Sequence, residues 1–211
     1  MSYLAACENG ETNGLPSLTD LSRELGISVA GLREQLEVAR ALGLVEVRPR
    51  TGTRRLTYSF APAVRQSLAY AIALDRSHFL RFADMRKHIE LAYWHEAVAL
   101  LTDEDKSELQ ALMQQAWDKL NGSPIQIPHT EHRNLHITIF RRLDNPFVTG
   151  ILEAYWDAYK AVGLDVYTDY DYLKEVWQFH QQMVDAIVAG DVEAGFTALR
   201  EHTDLIYHRP G

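Results

Sequence analysis

The sequence predicts a mostly α-helical protein in which an N-terminal winged helix-turn-helix precedes a C-terminal antiparallel bundle of six to seven helices. Residues 1–60 hold seven arginines and seven acidic residues, so the net charge of −8 falls entirely on the remaining chain. Two helical patterns and two β-prone stretches fill the first part, and helical periodicity fills the rest. This asymmetry indicates two modules, which we place at residues 1–62 and 63–211.

The overall composition is that of a globular protein and excludes several classes. The chain has 211 residues, of which 46% are hydrophobic and 24% charged, values that argue against a disordered or fibrous protein. Cys7 is the single cysteine, which excludes a disulfide framework and fits a reducing compartment. The sequence shows neither a signal peptide nor a membrane span. We therefore expect a cytoplasmic protein without a membrane partner.

The helix-turn-helix is predicted from capping residues and apolar spacing. Ser17 is placed to cap a first helix, which Gly26 ends by adopting the left-handed conformation. Ser28 is placed to cap a second helix, and Gly43 ends it. Two helices joined by a turn of three to four residues form the arrangement with which many proteins read DNA.

A β-hairpin is predicted directly after the second helix, where a winged helix carries its wing. The β-prone stretches are residues 44–47 and 55–58, and the turn between them is rich in arginine, with Gly52 at its tip. The start of the second helix suits the major groove, and arginines of the wing suit phosphates or a narrow minor groove. The candidate DNA-binding residues are Ser28, Arg33, Arg48, Arg50, Thr51, Gly52 and Arg54, with Arg55 in the same arginine run. The alternative is a pair of packed helices with a solvated arginine face.

The second module is predicted to be all helix. Proline and glycine fall between the periodic segments, and Thr102 with Asp105 forms a variant of the capping box. An Asn145-Pro146 step marks one break between helices. The predicted helices lie near residues 64–80, 82–101, 103–121, 129–143, 146–163, 169–189 and 191–208. Seven helices with short links favour an antiparallel bundle.

Four of the nine histidines are candidate metal ligands. His132 and His136 are four residues apart on one predicted helix, so their side chains share a face. His180 and His202 lie on the last two helices, on either side of a tight turn, and antiparallel packing would place them at similar heights. Neutral imidazoles suit a divalent transition metal such as zinc, nickel, copper or iron. The alternative is that these are hydrogen-bonded core histidines whose spacing is accidental.

These motifs resemble a known family. Residues 21–28, 32–36, 42–45 and 50–52 resemble the winged helix of GntR regulators, although Val29 and Thr19 stand where that family often carries arginine. The helical module resembles the FCD ligand-binding domain of the FadR-type branch. That second resemblance rests on the R-x-x-L-E pattern at residues 86–90, on residues 135–136 followed by 145–146, and on the closing pattern from 180 to 202.

The resemblance implies a metal site and a small effector. Metal-binding members of the family use an aspartate and three histidines, and His132 stands at the aspartate position, which implies a softer and less negative site. The expected metal is zinc or nickel. The family binds a carboxylate effector beside the metal, and Arg86 stands where an arginine lines that cavity; the alternative for Arg86 is an ion pair with Glu90. The resemblance also implies a homodimer on a palindromic operator.

The sequence therefore favours a transcription regulator, not an enzyme, whose operator affinity responds to a small carboxylate-type metabolite at a metal site. Three other functions stay open. One is a metalloenzyme of hydrolase type built on the helical bundle, in which metal-bound water is the nucleophile. The second is a direct metal sensor, in which the metal itself is the effector. The third is a helical interaction domain that binds no metal.

Overall fold

The computed structural model describes residues 1–6, 14–48, 52–162 and 169–205. Within these ranges the N-terminal part contains α1 (Ser2–Ala6), α2 (Leu18–Leu25), α3 (Val29–Ala41), β1 (Val45–Arg48) and β2 (Gly52–Arg55). The C-terminal part contains α4 (Ala61–Leu74), α5 (Ser77–Ala99), α6 (Asp103–Leu120), α7 (His129–Phe140), α8 (Pro146–Ala161), α9 (Tyr170–Ala189) and α10 (Val192–Asp204). The predicted fold class, a winged helix-turn-helix followed by a helical domain, is confirmed.

The predicted caps form the helix-turn-helix. The Ser17 hydroxyl accepts a hydrogen bond from the backbone of Asp20, and the Ser28 hydroxyl accepts one from Gly31. These bonds satisfy amide groups that have no partner within the helix. The apolar side chains between the two helices and β1 are buried, among them Leu21, Leu32, Ala39 and Val45. The packing leaves the opposite face of α3 exposed.

The second strand was predicted three residues too late. β2 spans Gly52–Arg55 instead of 55–58 and pairs with β1 in antiparallel register, with Gly52 opposite Arg48. Gly52 is therefore the first residue of a strand and not the tip of the turn. Residues 55–58 were predicted as the strand because their residue types favour β structure. In a hairpin, however, the length of the connection determines which residues of the two strands pair. Leu56 only extends the ladder, by donating its amide to the carbonyl of Leu44 at 2.9 Å.

The first break in the helical domain also differs from the prediction. We expected one helix over 64–80, whereas α4 ends at Leu74 and α5 begins at Ser77. Asp75 has an extended backbone, and its carboxylate accepts the amide of Ser77 at 2.8 Å. This local bond competes with continuation of the helix. The other predicted helices agree with the structure to within a few residues.

The last two helices form a hairpin that places two histidines in the core. Gly190 ends α9 with a φ of 77°, a left-handed conformation that a side chain would strain. Asp191 then caps α10 by accepting the amide of Ala194 at 3.0 Å. The hairpin packs on α5 and α6. His180 and His202 both face the buried side of the hairpin.

Helix α8 packs against the start of α4 and against the segment that joins the wing to α4. A side chain at Gly150 would come within 2.7 Å of the backbone nitrogen of Ala61, so only glycine allows this approach. The ring of Phe147 lies 5.3 Å from that of Phe60 and 6.1 Å from that of Tyr58. Within the described ranges, no helix combines the length and apolar character that crossing a membrane requires.

Candidate metal centre and DNA-binding surface

Three helices bring four imidazoles together in the helical domain. His132 and His136 extend from one face of α7, His180 from α9 and His202 from α10. One ligand atom from each of the four lies within 4.8 Å of the others. His136, His180 and His202 are buried, and His132 is partly exposed. The structure therefore brings together all four histidines that were predicted as ligands.

The spacing of the nitrogens fits a metal ion. Nε2 of His136 lies 3.2 Å from Nε2 of His180 and 3.2 Å from Nε2 of His202. Two nitrogen ligands of a tetrahedral zinc, each about 2.0–2.1 Å from the metal, lie about 3.3 Å apart. In addition, His132 Nε2, His180 Nδ1 and His202 Nδ1 are buried without a hydrogen-bond partner in the described part of the chain. Buried nitrogens without partners are costly, and a metal ion would satisfy part of this set.

The site holds its histidines in the neutral form that ligands require. Burial is the largest cause that lowers the pKa of all four imidazoles well below the ordinary value of 6.5. The charge of Arg86 lowers the pKa of His136 further. Neutral imidazole has the free lone pair that a metal needs. The cluster is therefore ready to accept a cation at neutral pH without first losing protons.

A buried ion pair lies against the histidines. Nη2 of Arg86 is 2.9 Å from Oε2 of Glu90, one turn along α5, and 2.9 Å from Nδ1 of His136. Oε1 of Glu90 is 3.2 Å from the same Nδ1. Burial raises the pKa of Glu90, and the guanidinium of Arg86 opposes that rise. Arg86 therefore forms the ion pair with Glu90 that was the alternative and also contacts His136, while its role toward an effector stays a prediction.

A small cavity adjoins the imidazoles. Its volume is about 50 Å³, which is room for a few waters or a small anion, and His132, His202 and Arg86 line it together with Tyr155, Tyr159 and Tyr172. The guanidinium carbon of Arg86 lies 4.3 Å from the centroid of the Tyr155 ring, a cation–π distance. The cavity gives a ligand a route to the side of the cluster where His132 is partly exposed.

Sequence reasoning missed three residues of this site. Glu90 was considered only as a partner of Arg86, and its approach to His136 joins helices 46 positions apart in sequence, which periodicity does not reveal. Tyr155 and Tyr172 were not singled out. Because other aromatic residues are also buried in this domain, nothing in the local sequence pattern separates the two that line the cavity from the rest.

The exposed face of α3 carries the first group of candidate DNA-binding residues. Ser28 and Arg33 are exposed, at the start of α3 and in its second turn. The Ser28 hydroxyl accepts the Gly31 amide at 3.1 Å, and its own proton stays available for a phosphate oxygen. In this geometry the helix start faces solvent as major-groove reading requires.

The hairpin, which we call the wing (β1 and β2), carries the second group. Arg48 and Arg54 are exposed and share the carboxylate of Glu46, with Nε of Arg48 3.1 Å from Oε1. The side chain of Arg55 points elsewhere and donates to the carbonyl of Leu4 at 3.2 Å. Gly52 lies at the start of β2. Arg50 and Thr51 lie outside the described residues.

Comparison with known proteins gives a family and a curated relative. The model of the FCD domain family matches residues 82–205. An Escherichia coli (strain K12) protein named "Uncharacterized HTH-type transcriptional regulator YieP" is 28% identical over 191 residues, which is 87% of this chain and 80% of that protein. The predicted resemblance to regulators with an FCD domain is confirmed by these matches.

Solved structures share the fold over nearly the whole chain. A Streptococcus agalactiae protein titled GntR superposes with a TM-score of 0.61 at 16% identity, covering 92% of this chain and 88% of that one. The E. coli protein titled McbR/YncC superposes with a TM-score of 0.54 at 20% identity, covering 97% of this chain and 89% of that one. At these identities the likeness concerns the fold alone.

Proposed function

This chain belongs to the FCD domain family, and on that premise we propose that it is a DNA-binding transcription regulator controlled by a metal-dependent effector site. The single observation that carries the proposal is the convergence of four imidazoles within 4.8 Å in a domain attached to a winged helix. The curated relative is itself named a transcriptional regulator of the helix-turn-helix type. A DNA-reading module and a candidate ligand site in one chain favour regulation over catalysis.

The metal is a divalent transition ion, with zinc or nickel fitting best. His132, His136, His180 and His202 would hold it, since imidazole is a ligand that both ions accept. When bound, the ion supplies a buried positive charge that attracts an anion. The residues of this chain orient the ligands, because Glu90 and Arg86 contact His136 and Trp156 packs on His132 at a ring distance of 4.6 Å.

The effector is a small carboxylate-type metabolite that enters the cavity beside His132. Arg86 is buried and donates hydrogen bonds in a planar fork, which matches a carboxylate. The tyrosines of the cavity wall supply hydroxyl groups around it. The effector changes operator affinity only if its affinity differs between the two arrangements of the winged helices.

DNA binding is assigned to the exposed start of α3 and to the wing. Ser28 and Arg33 meet the major groove, and Arg48, Arg50, Thr51, Gly52 and Arg54 meet the backbone or the minor groove. The protein acts in the cytoplasm as a homodimer on a palindromic operator, since symmetric dimers bind half-sites one helical turn apart. Residues 1–62 form the DNA-binding domain, and residues 63–211 form the effector and dimerisation domain.

Sequencing of genomic fragments retained by the purified full chain tests the regulator function. At physiological salt we expect enrichment of one inverted repeat, because salt suppresses binding to phosphates without sequence preference. Arg33→Ala and Arg50→Ala should each lose the enrichment. Arg200→Ala removes the same charge from an exposed position of α10 and is the matched control.

Two outcomes would contradict the proposal. One is the absence of enrichment with and without added zinc or nickel. The other is enrichment that Arg33→Ala and Arg50→Ala leave unchanged, which would place DNA contacts elsewhere. Hydrolytic turnover that survives in both variants would favour the metalloenzyme.

A further inference from the structure

The exposed face of α3 carries no net charge. Helix α3 contains two arginines and two glutamates, at positions 33, 34, 37 and 40, and all four are exposed. Nη2 of Arg40 lies 2.6 Å from Oε2 of Glu37, so these two charges neutralise each other. Arg33, by contrast, forms no ion pair within the described ranges. General attraction to phosphates needs an excess of positive charge, so this face must gain its affinity for DNA from contacts with individual bases.

The first turn of α3 presents a methyl group to solvent. The side chain of Ala30 is exposed, whereas Val29 is partly buried and Leu32 is buried in the core. Gly31 has no side chain to offer. The hydroxyl oxygen of Ser28 accepts the amide of Gly31 at 3.1 Å and is thereby held at the helix cap. Ala30 is therefore the side chain that this turn offers to a base edge.

A methyl group matches one feature of the major groove. It can neither donate nor accept a hydrogen bond, so it does not pair with the polar groups that guanine, cytosine and adenine present there. The C5-methyl group of thymine is the apolar group on the groove edge, and a small apolar side chain is its complement. Contact between the two methyl groups removes both from water, which is favourable.

Resting on the function proposed above, we infer that Ala30 selects part of the operator sequence by contacting the C5-methyl group of a thymine in each half-site. Arg33 lies three residues further along the same helix face, so the two Cβ atoms are about 5–6 Å apart. Successive base pairs are about 3.4 Å apart along the DNA axis. The two side chains therefore address neighbouring base pairs, Arg33 through hydrogen bonds and Ala30 through its methyl group.

The charges beside Ala30 give this contact a distinctive dependence on salt. Arg33 and Glu34 follow Ala30 at the two positions one turn away, and their opposite charges cancel as attractors of phosphate. A contact between methyl groups releases no counterions from the DNA. Its loss should therefore lower affinity without changing the slope of log affinity against log salt concentration, whereas loss of a phosphate contact changes that slope.

Operator DNA that contains deoxyuridine in place of thymidine tests the inference. The replacement removes the C5-methyl group and leaves every hydrogen-bonding group of the base pair unchanged. The enriched inverted repeat is prepared with deoxyuridine at one symmetric pair of thymines at a time, and binding of the full chain is measured at several salt concentrations. Deoxyuridine between the half-sites is the control.

One symmetric pair of thymines should be sensitive to the replacement. We expect affinity to fall by about fourfold for each methyl group, the factor that corresponds to burial of one such group. The symmetric pair should therefore cost more than about tenfold, because distant and independent contacts add in free energy. The salt slope should stay the same.

Two variants assign the contact to a residue. Ala30→Gly removes the methyl group of the protein, so it should weaken binding to the thymine operator about as much as the paired replacement does. It should also no longer distinguish thymine from deoxyuridine. Ala69→Gly makes the same change at an exposed position of α4 and should leave both properties unchanged. Circular dichroism and thermal unfolding establish that both variants fold, since glycine lowers helix stability.

Each outcome decides one claim. Equal affinity of the unmodified chain for the thymine and deoxyuridine operators at every position would overturn the inference while leaving operator binding intact. A deoxyuridine effect that Ala30→Gly retains would overturn the role of Ala30. Failure to enrich any operator would contradict the proposed function and the inference with it. The comparison of the two DNAs with the unmodified chain decides the inference even where Ala30→Gly does not fold.

Discussion

Nη2 of Arg86 and Oε1 of Glu90 both approach Nδ1 of His136, at 2.9 and 3.2 Å. An arginine can only donate a hydrogen bond and a carboxylate can only accept one, so the position of the imidazole proton selects the partner. When Nε2 of His136 binds a metal, its proton is on Nδ1 and the partner is Glu90. Arg86 would then lose the His136 acceptor, keep its ion pair with Glu90 and have a donor free on the side that lines the cavity. Metal binding and the availability of Arg86 for an anion are therefore connected through one ring.

Removal of one candidate ligand should abolish tight metal binding. His180→Ala leaves three imidazoles and opens the buried side of the site, and we expect zinc affinity to fall by more than about 100-fold. Mutation of a residue that only hydrogen-bonds to a metal ligand usually lowers metal affinity by about 10–100-fold. His95→Ala is the control, because His95 lies on the exposed face of α5 and pairs with Glu193. Chelator competition measures both. A loss equal to that of His95→Ala would show that His180 is not a ligand.

Breaking the buried pair should cost stability more than removing it entirely. Arg86→Met leaves Glu90 buried without its partner, and we expect the free energy of unfolding to fall by about 3–5 kcal/mol. Adding Glu90→Leu to the same chain should restore a large part of that loss. Urea denaturation of the single and double variants measures the difference. A single variant that loses less than about 1 kcal/mol would show that the pair is solvated in solution.

Glu46 should limit how strongly the wing attracts DNA. Its carboxylate contacts both Arg48 and Arg54, so Glu46→Gln releases two arginines for phosphates. Affinity for DNA of random sequence should rise. The plot of log affinity against log salt concentration should become steeper, by the amount that about one to two additional phosphate contacts produce. Glu201→Gln, on the exposed face of α10, removes an equal charge and is the control. Equal effects of the two variants would indicate a response to net charge alone.

Asp105 should make the helical domain sensitive to acid. Hydrogen bonds from Arg142, with those from Arg141 and Thr102, hold the pKa of Asp105 well below its usual value of 3.8. A carboxyl whose folded pKa is depressed contributes stability above its unfolded pKa, and the contribution is lost as pH falls below about 3.8. Asp105→Asn should therefore lower the urea midpoint at pH 7, and its difference from the unmodified chain should shrink below pH 3.8. A difference that does not change with pH would contradict the ionic role.

The parts predictable from sequence are those that local spacing determines. Ser17, Ser28 and Thr102 cap helices as predicted, because capping depends on residues within one turn. His132 and His136 share a face because of helical periodicity, and Gly190 brings His180 and His202 together through a tight turn. What the sequence did not predict depends on tertiary contacts or register. The approach of Glu90 to His136 and the pairing of Gly52 with Arg48 are the clearest cases.

If the histidine centre controls DNA binding, operator affinity must depend on what the centre has bound. The affinity of the full chain for its enriched operator is determined at fixed salt, first with zinc and acetate and then after removal of zinc with a chelator and of acetate by dialysis. We predict a change of at least about fivefold in the unmodified chain and none in His180→Ala, as linkage between two sites requires. An operator affinity that is the same in all four conditions would contradict the claim.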